Sequence, residues 1–322
     1  MGKRVIMSVI LLLVAEMSVA DYFDTNRSQK IFGIYLTDSS QIDEIHSYSN
    51  AFGFSPQTAE EITEYLDANK NGLLPVIRIN HLLLNKEKGL YHHSVKKIIR
   101  AIEKSNANNQ EILFLMDEPL WTIRGECQQR NKVAACTDIS NQYIQTLDAL
   151  RKAGQKLRKR FPGSGVMHIE AWAELAIQKR THPNDNVIML DDTEYLGFDC
   201  YGDIEFCGSQ DDGYRHQADY ATWVWEVMQT MESRHAINRK LFLVPGTFLA
   251  DGHFDDVDTV LKQMEFYAWA LQLSDKIGGF GAFLWGDMIE NGRYFTGARN
   301  IHAVANLLAL IAEYYGIKKS GK

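Results

Sequence analysis

The 322-residue chain predicts a (β/α)8 barrel, and three observations carry that prediction. Eight short strand-like runs recur along it, nearly all separated by helical stretches, which demands parallel pairing through crossover connections. The runs are apolar, as strands covered on both faces are. An open doubly wound sheet normally carries a glycine-rich phosphate turn after an early strand, and no G-x-G-x-x-G occurs here. No internal repeat, low-complexity tract or linker divides the chain, so residues 21–322 read as one domain.

The elements follow in order. Ile31 to Leu36 is the first strand, and a polar helical stretch runs from Ser39 to about Tyr48. Ala51 to Phe54 is the second strand; Thr58 to Ala68 is a helix started by Ser55-Pro56 and stopped by Asn71-Gly72. Leu74 to Ile79 and Glu111 to Met116 are strands three and four, with a helix over Ser94 to Lys104 between them. A long helix from Ile139 to Phe161 ends at Pro162-Gly163, and its late cations, Arg151 to Arg160, complement the helix dipole and face solvent. Gly165 to Ile169, Tyr195 to Cys200, Lys240 to Val244 and Gly278 to Trp285 complete the strands. Helices over about Ala218 to His235, Asp256 to Leu273 and Ile301 to Tyr315 follow the last three.

The N-terminus predicts export. Lys3 and Arg4 precede an apolar run from Val5 to Ala15, and Ser18-Val19-Ala20 places small residues at a cleavage site, so the mature chain starts after Ala20, in a secreted or periplasmic location. The run is too short to span a bilayer, which leaves no membrane anchor after cleavage. Four cysteines fit an oxidising compartment: Cys127 with Cys136 and Cys200 with Cys207 form two local disulfides in loop-like sequence. Neither pair has zinc-like spacing, and no metal or cofactor is expected. A net charge of −7 argues against a nucleic-acid partner. The oligomeric state is left open.

Barrel enzymes carry their chemistry at strand C-termini and in the loops beyond. Those positions hold Arg78 and Asn80 after strand three, and Asp117-Glu118-Pro119 with Trp121 after strand four. His168 and Glu170, then Trp172, follow on strand five; Asp199 and Tyr201 on strand six; Trp285 and Asp287 on strand eight. Residues two apart share a strand face, so inward-facing sets would bring several carboxylates and aromatic platforms to one mouth. Like charges gathered so closely raise one another's pKa and cost stability, which marks a functional cluster.

Paired carboxylates with aromatic rings are what glycoside hydrolysis needs: one acid held protonated for the leaving oxygen, the other ionised. At these residues the chain resembles the (β/α)8-barrel glycoside hydrolases. Asp117-Glu118-Pro119 is similar to the Asn-Glu-Pro step of the clan whose acid/base glutamate ends strand four, and Phe283-Leu284-Trp285-Gly286 to its strand-eight tryptophan that floors a sugar subsite. The resemblance implies Glu118 as general acid, an oligo- or polysaccharide substrate, and Trp285 as platform. That clan's nucleophile ends strand seven, where this chain has Val244-Pro245-Gly246-Thr247. The second carboxylate must therefore be Glu170, ranked slightly ahead, or Asp199. A non-catalytic carbohydrate-binding barrel is the alternative.

Overall fold

The computed structural model describes residues 30–85, 90–106, 110–129, 139–181, 189–190, 192–199, 201, 240–251, 254–273, 276–290 and 292–317. From Ile31 onward eight parallel strands close into a barrel in chain order. They are β1 (Ile31–Tyr35), β2 (Ala51–Phe54), β3 (Leu74–Arg78), β4 (Leu113–Asp117), β5 (Gly165–Ala171), β6 (Tyr195–Asp199), β7 (Lys240–Val244) and β8 (Ile277–Ala282). β8 pairs back onto β1, with Ile31 opposite Gly279, and this closes the sheet.

The longer helices among the described residues are α1 (Ala59–Ala68), α2 (Lys96–Lys104), α3 (Pro119–Gln129), α4 (Ile139–Arg160), α5 (Trp172–Thr181), α6 (Val257–Leu273) and α7 (His302–Tyr314). Thr58 sets the start of α1, because its hydroxyl accepts from the Glu61 N–H while Glu61 reaches back to the Gln57 N–H at 2.8 Å. Two of the late cations of α4 are ion-paired: Arg158 binds Asp192 and Glu194, and Arg160 binds Glu103. Two helices, α3 and α5, arise directly from the ends of β4 and β5, the first in sequence expected to be loop-like around Cys127. Cys127 accordingly lies in α3 instead of a loop. The helix expected over 218–235, the leader segment, and the side chains of all four cysteines lie outside the described residues. Among those residues no helix is long and apolar enough to cross a membrane.

Strand parity decides what faces the mouth. Ile31, Ala51, Val76, Leu113, Leu115, Met167, Ile169 and Phe242 form one small buried cluster, the barrel interior. Phe242 fills much of it because β8 presents glycines: a Cβ at Gly279 or Gly281 would lie 2.7 Å from the Phe242 ring. The other strand face packs on the helices in a larger cluster that includes Phe32, Ile77, Phe114, Val166, Phe198 and Leu243. By this alternation Arg78, Asp117 and Asp199 continue the interior set towards the mouth. His168 and Glu170 continue the set of Val166 and face the helix layer.

Candidate active site

The site is built around the junction of β4 and α3. Pro119 occupies the first helical position, where a missing N–H costs nothing, and it steers the residue before it away from right-handed helix. That residue, Glu118, adopts φ +46°, a left-handed conformation that costs a residue with a side chain about 1–3 kcal/mol. Its N–H donates to the Ile169 carbonyl at 2.7 Å, and its carbonyl accepts from the Thr122 N–H at 3.0 Å and hydroxyl at 2.8 Å.

A residue at this cap position ordinarily turns its side chain onto the first-turn amides. Here another strand serves them. Glu170 accepts from the Leu120 N–H at 3.0 Å through one oxygen and from the Trp121 N–H at 3.1 Å through the other. The Glu118 carboxyl is left to face Asp199, and the two are hydrogen-bonded. Tyr201 also hydrogen-bonds to Asp199.

Burial and crowding dominate the electrostatics. Glu118 is raised well above the usual carboxylate range, first by burial and then by the charges of Asp199 and Asp117. Asp199, 8% exposed, is pushed up to about 7 by burial and by Asp117, against the lowering effect of its hydrogen bonds from Glu118 and Tyr201. The proton of this pair therefore sits on Glu118, which donates it to Asp199. Burial, reinforced by Asp199, also lifts Tyr201, so the phenol stays a donor. Arg78 meets the opposite influence. Burial opposes its charge, but Asp117, 3.1 Å away, holds it firmly protonated. Asn80 fixes Asp117 from behind: its amide donates to the Asp117 carbonyl at 2.8 Å and accepts from the Asp117 N–H at 3.0 Å.

Several expected site residues lie away from the Glu118–Asp199 pair. Glu170 and His168 were expected to share the mouth if their face pointed inward, but Met167 and Ile169 take the interior and turn both outward, fully buried. The Leu190 N–H donates to His168 Nδ1 at 3.0 Å, so the ring proton sits on Nε2, 3.2 Å from Glu170. Trp285, expected as a sugar platform, is largely enclosed. The ring is 5% exposed, its N–H donates to Glu44 at 3.0 Å, and it packs on Tyr48. Trp172 is buried against Phe198 at the start of α5. Asp287 is spent on the loop after β8, accepting from Tyr294, the Gly297 N–H and Asn300 at 2.7–2.9 Å. Trp121 is partly exposed in the first turn of α3.

Around Tyr201, which the sequence marked, gather rings to which it assigned no role. Phe283 packs on Tyr35 at 4.9 Å and stacks on Tyr201 at 5.5 Å, while Phe248 meets Tyr201 edge-on. Strand parity carried forward from Gly279 and Gly281 points to Phe283, the one signal that would have found it. Gly246 completes the cradle, since a Cβ there would lie 3.0 Å from Tyr201 and 2.3 Å from Phe254. Among the described residues no group of three or more His, Cys, Asp or Glu side chains is disposed to hold a metal ion.

Fold and site together define a (β/α)8 barrel with a buried pair of carboxyls, Glu118 and Asp199, at the C-terminal ends of its strands. No protein-family model matches the sequence, and no curated protein matches it. Solved structures similar in fold include a β-glucosidase and a β-glucuronidase. A β-glucosidase from Thermotoga maritima in complex with cyclophellitol aligns at TM-score 0.52 and 10% identity, over 88% of this chain and 86% of its own. A calcium-binding mutant of β-glucuronidase 2 from Bacteroides uniformis aligns at TM-score 0.51 and 13% identity, over 81% of this chain. The chain spans 31% of that glucuronidase. At such identities the likeness is one of fold.

Proposed function

We propose that the chain is an exported glycoside hydrolase acting on an oligo- or polysaccharide, with Glu118 as general acid and Asp199 as its carboxylate partner. The observation that carries this reading is the meeting of two buried carboxyls: Glu118, just after β4, hydrogen-bonds to Asp199 at the end of β6, across the intervening strand β5. A carboxyl held protonated near neutrality is what a glycosidic leaving oxygen requires. Asp199 replaces Glu170 as the favoured partner, because Glu170 faces away and both its oxygens are engaged by α3. Arg78 and Asn80 hold Asp117 beside the pair. Export, and local pairing of Cys127 with Cys136 and Cys200 with Cys207, rest on the sequence pattern alone.

The test is a glycan panel read with purified protein lacking residues 1–20, beside Glu118→Gln. Loss of about 10²–10⁴-fold in turnover is expected from removing the general acid. Undiminished turnover in Glu118→Gln refutes the assignment, and saccharide binding with no turnover in the wild type leaves the non-catalytic barrel.

A further inference from the structure

A hairpin follows β8 at the mouth. Its strands, Met288–Glu290 and Arg293–Gly297, pair antiparallel, with Met288 opposite Phe295, Ile289 opposite Tyr294 and Glu290 opposite Arg293. Opposed residues share a face, and the face alternates along each strand. Phe295 is buried and packs on Phe248 at 5.0 Å, and Met288 packs on the same core, so their face is the inner one. Ile289 and Tyr294, 72% and 55% exposed, mark the outer face. Glu290 lies two positions beyond Met288 on the inner face, past the edge of the core and exposed. The root of the hairpin is tied down by Asp287, which accepts from the Tyr294 hydroxyl at 2.7 Å and the Gly297 N–H at 2.9 Å.

This face overlooks the ends of β1 and β3. Burial works against the charge of Arg78, while Asp117, Tyr35, Glu118 and Glu290 sustain it. Tyr35, lifted first by its burial, also feels Arg78, Asp117 and Glu290. Glu290 and Glu118 thus approach one guanidinium from two elements, the hairpin and the junction of β4 with α3. Arg78 commits its Nε to Asp117 at 3.1 Å, and its side chain is 25% exposed. Among the described residues its two terminal nitrogens meet no acceptor, the Glu290 carboxylate meets no donor, and the two side chains do not close an ion pair. Beside Arg78, Tyr35 packs on Phe283 at 4.9 Å, which stacks on Tyr201 at 5.5 Å.

We propose, resting on the glycosidase reading above, that Arg78 and Glu290 form a subsite for two adjacent free hydroxyls of the substrate's sugar, with Glu290 setting the preference for an unsubstituted diol. A carboxylate accepts from two neighbouring hydroxyls at once, and guanidinium N–H groups donate to the same oxygens. The open gap between Arg78 and Glu290 therefore offers donors on one side and acceptors on the other. The rings beside it suit the apolar face of the same sugar, whose glycosidic oxygen goes to Glu118. A sugar esterified or deoxygenated at those carbons leaves the Glu290 charge desolvated without its donors, and a polar site rejects such analogues steeply.

The experiment measures kcat/KM of wild type, Glu290→Gln and Glu290→Ala on the aryl glycoside turned over best in the glycan panel, and on its monodeoxy analogues. On the intact sugar Glu290→Ala should lose about 10–100-fold and Glu290→Gln less, as for hydrogen bonds to a charged group. Removing either of two adjacent hydroxyls should cost the wild type about as much, and should cost Glu290→Ala about 3-fold or less, because the bond is already gone. Ile289→Ala, on the outer face of the same hairpin, should match wild type, and thermal denaturation should show all the variants folded. Three results overturn this inference and leave the glycosidase reading standing: kcat/KM within about 2-fold of wild type in Glu290→Ala, losses that ignore which hydroxyl is missing, or an equal loss in Ile289→Ala. A wild type that turns over no glycan of the panel overturns both.

Discussion

Replacing Asp199 with asparagine should stabilise the fold at alkaline pH while removing activity. The folded protein holds Asp199 at about 7 against an ordinary 3.8, so it binds more protons than the unfolded chain between those values. Its contribution to stability is therefore full below about pH 4 and is lost as pH rises through about 7. The full difference is equivalent to about 4 kcal/mol of penalty for the charge at alkaline pH. Because the proton is shared with Glu118, only part of it belongs to Asp199 alone, and a gain of about 1–2 kcal/mol at pH 8 is expected for Asp199→Asn. Asparagine keeps an acceptor for Tyr201 and offers an N–H to Glu118. Urea denaturation at pH 5, 6.5 and 8 reads the effect, within a window lying above the titration of the depressed surface carboxylates Asp38 and Asp256. Wild-type stability should fall across the window and the variant's should fall less. Superimposable profiles, or a variant less stable than wild type at pH 8, would refute the reasoning.

Two further outcomes follow from packing. Arg124→Met strips the fork that holds fully buried Glu174 at 2.5 and 3.0 Å, and should cost about 3–5 kcal/mol in chemical denaturation; a loss below about 1 kcal/mol would mean that Tyr143 and Gln178 alone satisfy it. Gly246→Ala drives a methyl into Phe254 and Tyr201, for about 1–3 kcal/mol of destabilisation by overpacking and a drop in kcat as Tyr201 moves off Asp199; unchanged kcat would separate Tyr201 from the chemistry.

The strands were legible because each is a contiguous apolar run, and burial on both faces is a property local sequence records. The mouth was legible only in part. Asp117, Glu118, Asp199 and Tyr201 come together as their strand ends suggested. His168 and Glu170 do not, because two-residue alternation says which residues share a face but never which face points inward; Met167 and Ile169 decide that by filling the interior. Helix α3 was invisible for a related reason. Its amides are served by a carboxylate about fifty positions further on, and no local cap announces it. Trp285 looks like a platform until Glu44, 241 positions earlier, is seen to hold its N–H.

The loan of Glu170 to α3 also bears on how variants of this protein will be scored. The same carboxylate fixes the helix whose first turn sets the backbone of Glu118, so damage at position 170 will travel to the acid without any contact with sugar. A screen that records turnover alone will file Glu170 among the reacting groups, and one that records abundance alone will file it among the core. Only the two read side by side, variant by variant, separate the residue that holds the tool from the residue that cuts.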